Sequence, residues 1–101
     1  MKFEDLAKAN LVRCEKSFHL LKEWSPSDWS NAMAGECGEV CNLTKKLLRG
    51  ENIQPHEIGQ EIADTVIYAD LLAQRIGMSL GDLVRKTFNQ KSDEVGSDIH
   101  L

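Results

Sequence analysis

Pro55-His56-Glu57-Ile58-Gly59-Gln60-Glu61-Ile62-Ala63-Asp64-Thr65-Val66-Ile67-Tyr68-Ala69-Asp70-Leu71-Leu72-Ala73-Gln74-Arg75-Ile76-Gly77 reads as one amphipathic helix. Ile58, Ile62, Val66, Ala69 and Ala73 recur at three- and four-residue intervals, with Ala63, Ile67 and Leu71 beside them. Proline suits a first helical turn, where its missing N–H has no partner to lose, and Glu57 complements the positive helix end.

The same reading extends in both directions. Upstream, residues 28–49 form a second long helical stretch that ends at Gly50, with Lys45, Lys46 and Arg49 near the negative end of its dipole. Trp24-Ser25-Pro26-Ser27-Asp28 separates it from a first helix over 3–22 carrying Leu6, Ala9, Val12, Phe18 and Leu21, and Ser27 or Asp28 is the expected cap. Downstream, Ser79 with Asp82 three residues on opens a helix over 79–92, and an extended tail follows from Val95. No alternating strand pattern or internal repeat occurs. The expectation is a single all-α domain spanning 1–101, a four-helix, bundle-like fold with short connections.

A chain of 101 residues supports one modest core, so further burial by self-association is expected. The net charge of −4 argues against a general nucleic-acid binder, which needs a basic face for phosphates. It does not argue against a small anionic substrate, because a metal ion reverses the local sign where carboxylates gather. Met1-Lys2-Phe3-Glu4-Asp5 lacks a basic-then-apolar leader pattern, and no run approaches a membrane span. A cytoplasmic protein without membrane contact is expected. Three cysteines, an odd count, fit reduced thiols better than a disulfide framework. Cys37 and Cys41 have no histidine at matching spacing and read as packed thiols.

Two pairs of acids stand out. Glu36 and Glu39 share one helix face, and Glu61 and Asp64 repeat that spacing on the next helix. On exposed helices such pairs are usually solvated and matched by lysine or arginine. Here Ala32-Met33-Ala34-Gly35-Glu36-Cys37-Gly38-Glu39-Val40-Cys41 and Glu61-Ile62-Ala63-Asp64-Thr65-Val66-Ile67-Tyr68-Ala69-Asp70 contain no cation. Antiparallel helices bring the two pairs together, where four carboxylates cannot all stay ionised without a cation. Oxygen-only ligation suits Mg²⁺ or Mn²⁺. Gly35 and Gly38 within one helical turn suggest close approach of a neighbouring helix or a substrate. A di-iron bundle would need Glu-x-x-His pairs, which are absent.

Glu36-x-x-Glu39 followed by Glu61-x-x-Asp64, with both flanks, resembles the signature of the MazG-like all-α nucleoside triphosphate pyrophosphohydrolases, and the likeness runs from about Trp24 to Gly96. The resemblance implies hydrolysis of nucleoside triphosphates, above all deoxynucleoside triphosphates, to monophosphate and pyrophosphate in cleaning the nucleotide pool. It implies that Glu36, Glu39, Glu61 and Asp64 hold Mg²⁺, or Mn²⁺, and that Glu36 or Glu39 orients the attacking water. It places Lys46, Asn89 and either Arg85 or Lys86 near phosphate or metal, and Tyr68 against the sugar, although the apolar neighbours of Tyr68 suit a core tyrosine equally well. MazG-like chains commonly pair, so a homodimer or a dimer of dimers is expected, matching the apolar residues on more than one helix side. Trp24, in the loop, is a candidate for stacking on a base, whereas Trp29 reads as a packing anchor. Asp70, among apolar neighbours, reads as part of a buried network outside the metal shell. The competing class is a non-catalytic helical interaction or regulatory module with an acidic surface.

Overall fold

The computed structural model describes residues 1–101 as four α-helices and no strand: α1 (Phe3–Ser17), α2 (Pro26–Leu48), α3 (Pro55–Arg75) and α4 (Leu80–Val95). No helix is long and apolar enough to cross a membrane. The centre of the fold is the α2–α3 hairpin, two long helices joined by the short connection 49–54. Helix α1 lies against the later half of α3, and α4 contacts the free sides of α1 and α3. At Gly81 a Cβ would sit 3.0 Å from Phe3 Cβ, so the missing side chain sets how closely the start of α1 meets α4.

The helix ends follow local chemistry. Helix α2 starts earlier than expected because Ser25, rather than Ser27 or Asp28, is the cap. The Ser25 hydroxyl accepts from Asp28 N at 3.1 Å, and Asp28 Oδ2 accepts from Ser25 N at 2.9 Å, with Pro26 in the first turn. Helix α1 is shorter than expected. The Cys14 carbonyl accepts from both Phe18 N and His19 N, closing the helix, and the chain resumes only as a 3₁₀ turn at Leu21–Glu23. Helix α4 runs on to Val95 and stops at Gly96, whose φ of 73° is the left-handed conformation that glycine adopts readily. The tail beyond folds back: Leu101 N donates to Asn89 Oδ1 at 2.7 Å, and Asn89 Nδ2 donates to Leu101 O at 3.1 Å.

The core is small. Trp29, 2 % exposed, packs with Cys14 and Leu71, and Leu21, Trp24, Tyr68 and Leu72 close around them. Cys14 is the buried thiol; it donates to His19 O at 3.3 Å, and burial pushes its pKa up. Cys37 and Cys41, expected to be packed, are exposed, because they occupy a side of α2 that no other helix of the chain covers. The radius of gyration is 15.9 Å, against roughly 13 Å for a compact domain of about 100 residues. The four helices thus form an open bundle, with Val12, Phe18, Ile62, Val66 and Phe88 among its exposed apolar side chains.

Because Trp29 is the largest side chain in so small a core, Trp29→Ala is expected to lower unfolding stability by about 3 to 5 kcal/mol. Urea denaturation followed by circular dichroism measures it. A loss under about 1 kcal/mol would show that Trp29 is not the anchor.

Candidate metal centre

Helix α2 presents Glu36 and Glu39, and helix α3 presents Glu61 and Asp64. The hairpin register sets Glu36 opposite Glu61, and two turns away along both helices it sets Trp29 against Tyr68, ring centroids 6.3 Å apart. One carboxylate oxygen each from Glu36, Glu61 and Asp64 lie within 4.8 Å of one another. Glu39, one turn beyond Glu36, is exposed and stands outside that trio, though its charge is felt by Glu36. No salt bridge reaches any of the four acids; the ion pairs of the chain, such as Arg49–Glu51 and Lys91–Glu94, lie elsewhere.

The crowding shows in Glu36, whose pKa is raised from 4.5 to about 7. The largest cause is a hydrogen bond shared with the Glu61 carboxyl, followed by partial burial and then by the charges of Glu61, Asp64 and Glu39. A carboxyl group held protonated by its neighbours is what a divalent cation relieves, and hard oxygen donors from two helices suit Mg²⁺ or Mn²⁺. The donor set fits such an ion, with Glu36, Glu61 and Asp64 as the residues able to hold it.

Beside the acids lies a pocket of about 340 Å³. Glu36 and Asp64 form one part of its wall, and Phe18, His19, Trp24, Trp29 and Tyr68 form the aromatic part. His19 and Trp24 have ring centroids 4.6 Å apart, and Trp24 and Trp29 4.7 Å. The loop that carries this wall is tied down from three helices. Leu21 N donates to Glu15 Oε2 at 2.8 Å, Trp29 Nε1 donates to Leu21 O at 3.1 Å, and Arg75 Nε donates to Trp24 O at 2.8 Å. Trp29 is both a packing anchor and a pocket wall.

Of the other expected site residues, Tyr68 and Trp24 reach the pocket, while Lys46, Lys86, Arg85 and Asn89 do not line it. Lys46 sits in the last turns of α2, beyond the acids; Lys86 is exposed on α4; and the Asn89 amide is engaged by Leu101. Gly35 and Gly38 do not serve close helix packing within the chain, since a Cβ at either would meet nothing within 4 Å. Helix α1, to which no site residue was expected to belong, also contributes Asn10, Arg13 and Cys14 to the pocket wall, with Phe18 just beyond its end. Asn10 and Cys14 are four apart on one helix face, the spacing that could have drawn attention to that face. The chain matches no protein-family model, no curated protein and no solved structure; the chemistry of the site rests on its own residues.

The raised pKa makes stability depend on pH in a defined direction. Between about 4.5 and about 7 the folded, metal-free protein keeps a proton on Glu36 that the unfolded chain has lost. That contribution is complete at the acidic end of the window and disappears as the pH rises through it. Thermal melts in EDTA should therefore show a Tm that falls across this window. Millimolar Mg²⁺ should raise Tm most at the neutral end, by binding the folded state alone, and Glu36→Gln should flatten the EDTA profile. A wild-type profile identical to that of Glu36→Gln would refute the shared proton.

Proposed function

We propose that the chain is a divalent-metal-dependent nucleoside triphosphate pyrophosphohydrolase of the MazG-like kind. The observation that carries this reading is the junction of two features: an acidic trio on the α2–α3 hairpin without a cation partner, and an aromatic pocket walled in part by two of the same acids. A ligand spanning both has a polyanionic end, which needs a metal beside carboxylates, and a flat apolar end. Nucleoside triphosphates have that build. Bound Mg²⁺ would neutralise phosphate charge and lower the pKa of a water molecule.

The chain's own groups divide the remaining work. Glu36, Glu61 and Asp64 hold the cation site from two helices. Glu39, exposed and outside the trio, is the carboxylate free to take a proton from the attacking water. Tyr68 and Trp24 orient the nucleoside so that water meets the α-phosphorus. The new bond joins water oxygen to the α-phosphorus, and the bond from that phosphorus to the α–β bridging oxygen breaks. Nucleoside monophosphate and pyrophosphate leave. Lys46, Lys86 and Asn89 stand outside the pocket of a single chain, and they take part only if a second chain brings them to it.

That arrangement agrees with a homodimer or a dimer of dimers. Ile62 and Val66 of the α3 stripe are exposed, and so are Val84 and Phe88 of α4. Monomers rarely leave several apolar helix faces bare, and two-fold pairing would cover them.

With Mg²⁺ present, the protein should release pyrophosphate and monophosphate from a nucleoside triphosphate, and orthophosphate release would contradict the proposed cleavage. Glu61→Gln should lose both turnover and the Mg²⁺-induced rise in Tm. Glu39→Gln should lose turnover, by about 100-fold or more, yet keep that rise. Light scattering over a dilution series should give twice or four times the 11.3 kDa chain mass; a fully active species of one chain mass is the contrary result.

A further inference from the structure

The pocket wall carries a polar atom that the metal chemistry does not use. Asn10, on α1, is 4 % exposed and lines the cavity. Its Nδ2 donates twice, to Ile67 O at 2.9 Å and to Asp70 Oδ2 at 2.9 Å. A backbone carbonyl can only accept, so the amide has one permissible orientation. Asp70 is itself fixed. It is 1 % exposed, and its Oδ2 also accepts from Gln74 Nε2 at 2.8 Å, while Gln74 Nε2 donates again to Ala7 O at 3.0 Å. This network ties α1 to α3 and uses every N–H of both amides.

Asn10 Oδ1 is consequently turned away from all of these partners. It accepts no hydrogen bond from the chain, and it is not sealed in the interior, because Asp70 Oδ1 is the one buried side-chain polar atom without a partner. An acceptor held rigidly on a largely buried side chain, at the wall of a pocket with five aromatic rings, can discriminate between ligands. A group that donates to it is favoured, and one that presents another lone pair leaves both unpaired.

We propose that Asn10 is a specificity determinant whose Oδ1 reads an N–H donor on the edge of a flat heteroaromatic base seated among His19, Trp24, Trp29 and Tyr68. Exocyclic groups project furthest from such a ring and meet the wall first. The pocket therefore selects bases with an exocyclic amino group over the matching keto bases. Asp70 and Gln74 are positioning residues that keep the amide from turning over. The inference rests on reading the pocket as a nucleotide site, but not on catalysis there.

The test separates the two. Both tryptophans of the chain line the pocket, so their fluorescence reports occupancy. Titrations with the monophosphates dCMP, dUMP, dAMP and dIMP need no turnover. In the ring size that binds more tightly, the amino member should bind at least about tenfold more tightly than its keto partner. Asn10→Leu should bring that ratio to within about twofold. Should it fail to fold, Asn10→Leu combined with Asp70→Leu and Gln74→Leu replaces the three network side chains by apolar groups, which is tolerated better than orphaning one. A purely structural role for Asn10 would weaken both members equally and leave the ratio unchanged. Equal affinities in the wild type, a keto preference, or no binding of any of the four would overturn the inference. Amino preference without pyrophosphate release would uphold it while removing the hydrolase reading, and pyrophosphate release without base preference would do the reverse.

Discussion

The register of the α2–α3 hairpin is the constraint on which the rest depends. One alignment of two antiparallel helices sets Glu36 against Glu61 and, two turns along, Trp29 against Tyr68. The first pairing is repulsive and the second attractive. Burial of Trp29 against α3 and the loop stabilises an arrangement that the acids, left to themselves, would oppose. Moving α3 by one residue would turn its side chains by about 100° and separate both pairs. The core and the acidic cluster are thus two results of one packing decision.

Helix α1 completes that decision from outside the hairpin. Few residues are fully buried, and three of them, Asn10, Asp70 and Ser92, are polar or charged. A chain of this size could have filled the α1–α3 contact with leucine and gained hydrophobic stability. It places an amide–carboxylate network there instead. Buried polar contacts of this kind add less stability than they do orientation, because each donor is satisfied in only one geometry.

Much of this was legible in the sequence, for physical reasons that differ by element. The four helices follow from apolar periodicity and from proline and glycine at their ends. The acid pairs follow from spacing on one helix face together with the absence of nearby cations. Asp70 was recognisable as a network residue because a carboxylate among alanine, leucine and tyrosine must find donors. The α1 wall of the pocket was only partly legible: the spacing of Asn10 and Cys14 marks a shared face, but what that face meets depends on laying α1 across α3, a long-range placement no local pattern encodes. Cys37 and Cys41 were misplaced because a thiol's usual burial says nothing about which side of α2 is covered. Gly35 and Gly38 suggested a close neighbour, yet their side of α2 is open in the chain.

The loop between α1 and α2 has a consequence for ligand entry. Its wall-forming residues have no regular structure beyond the 3₁₀ turn, yet hydrogen bonds from Cys14, Trp29 and Arg75 hold their carbonyls, and Glu15 holds Leu21 N. These anchors come from α1, α2 and α3, and all are made before anything is bound. A ligand entering the pocket therefore spends little of its interaction energy on ordering the loop, and more of it remains as affinity. The segment that looks most like a hinge in the chain is, by its anchoring, part of the frame.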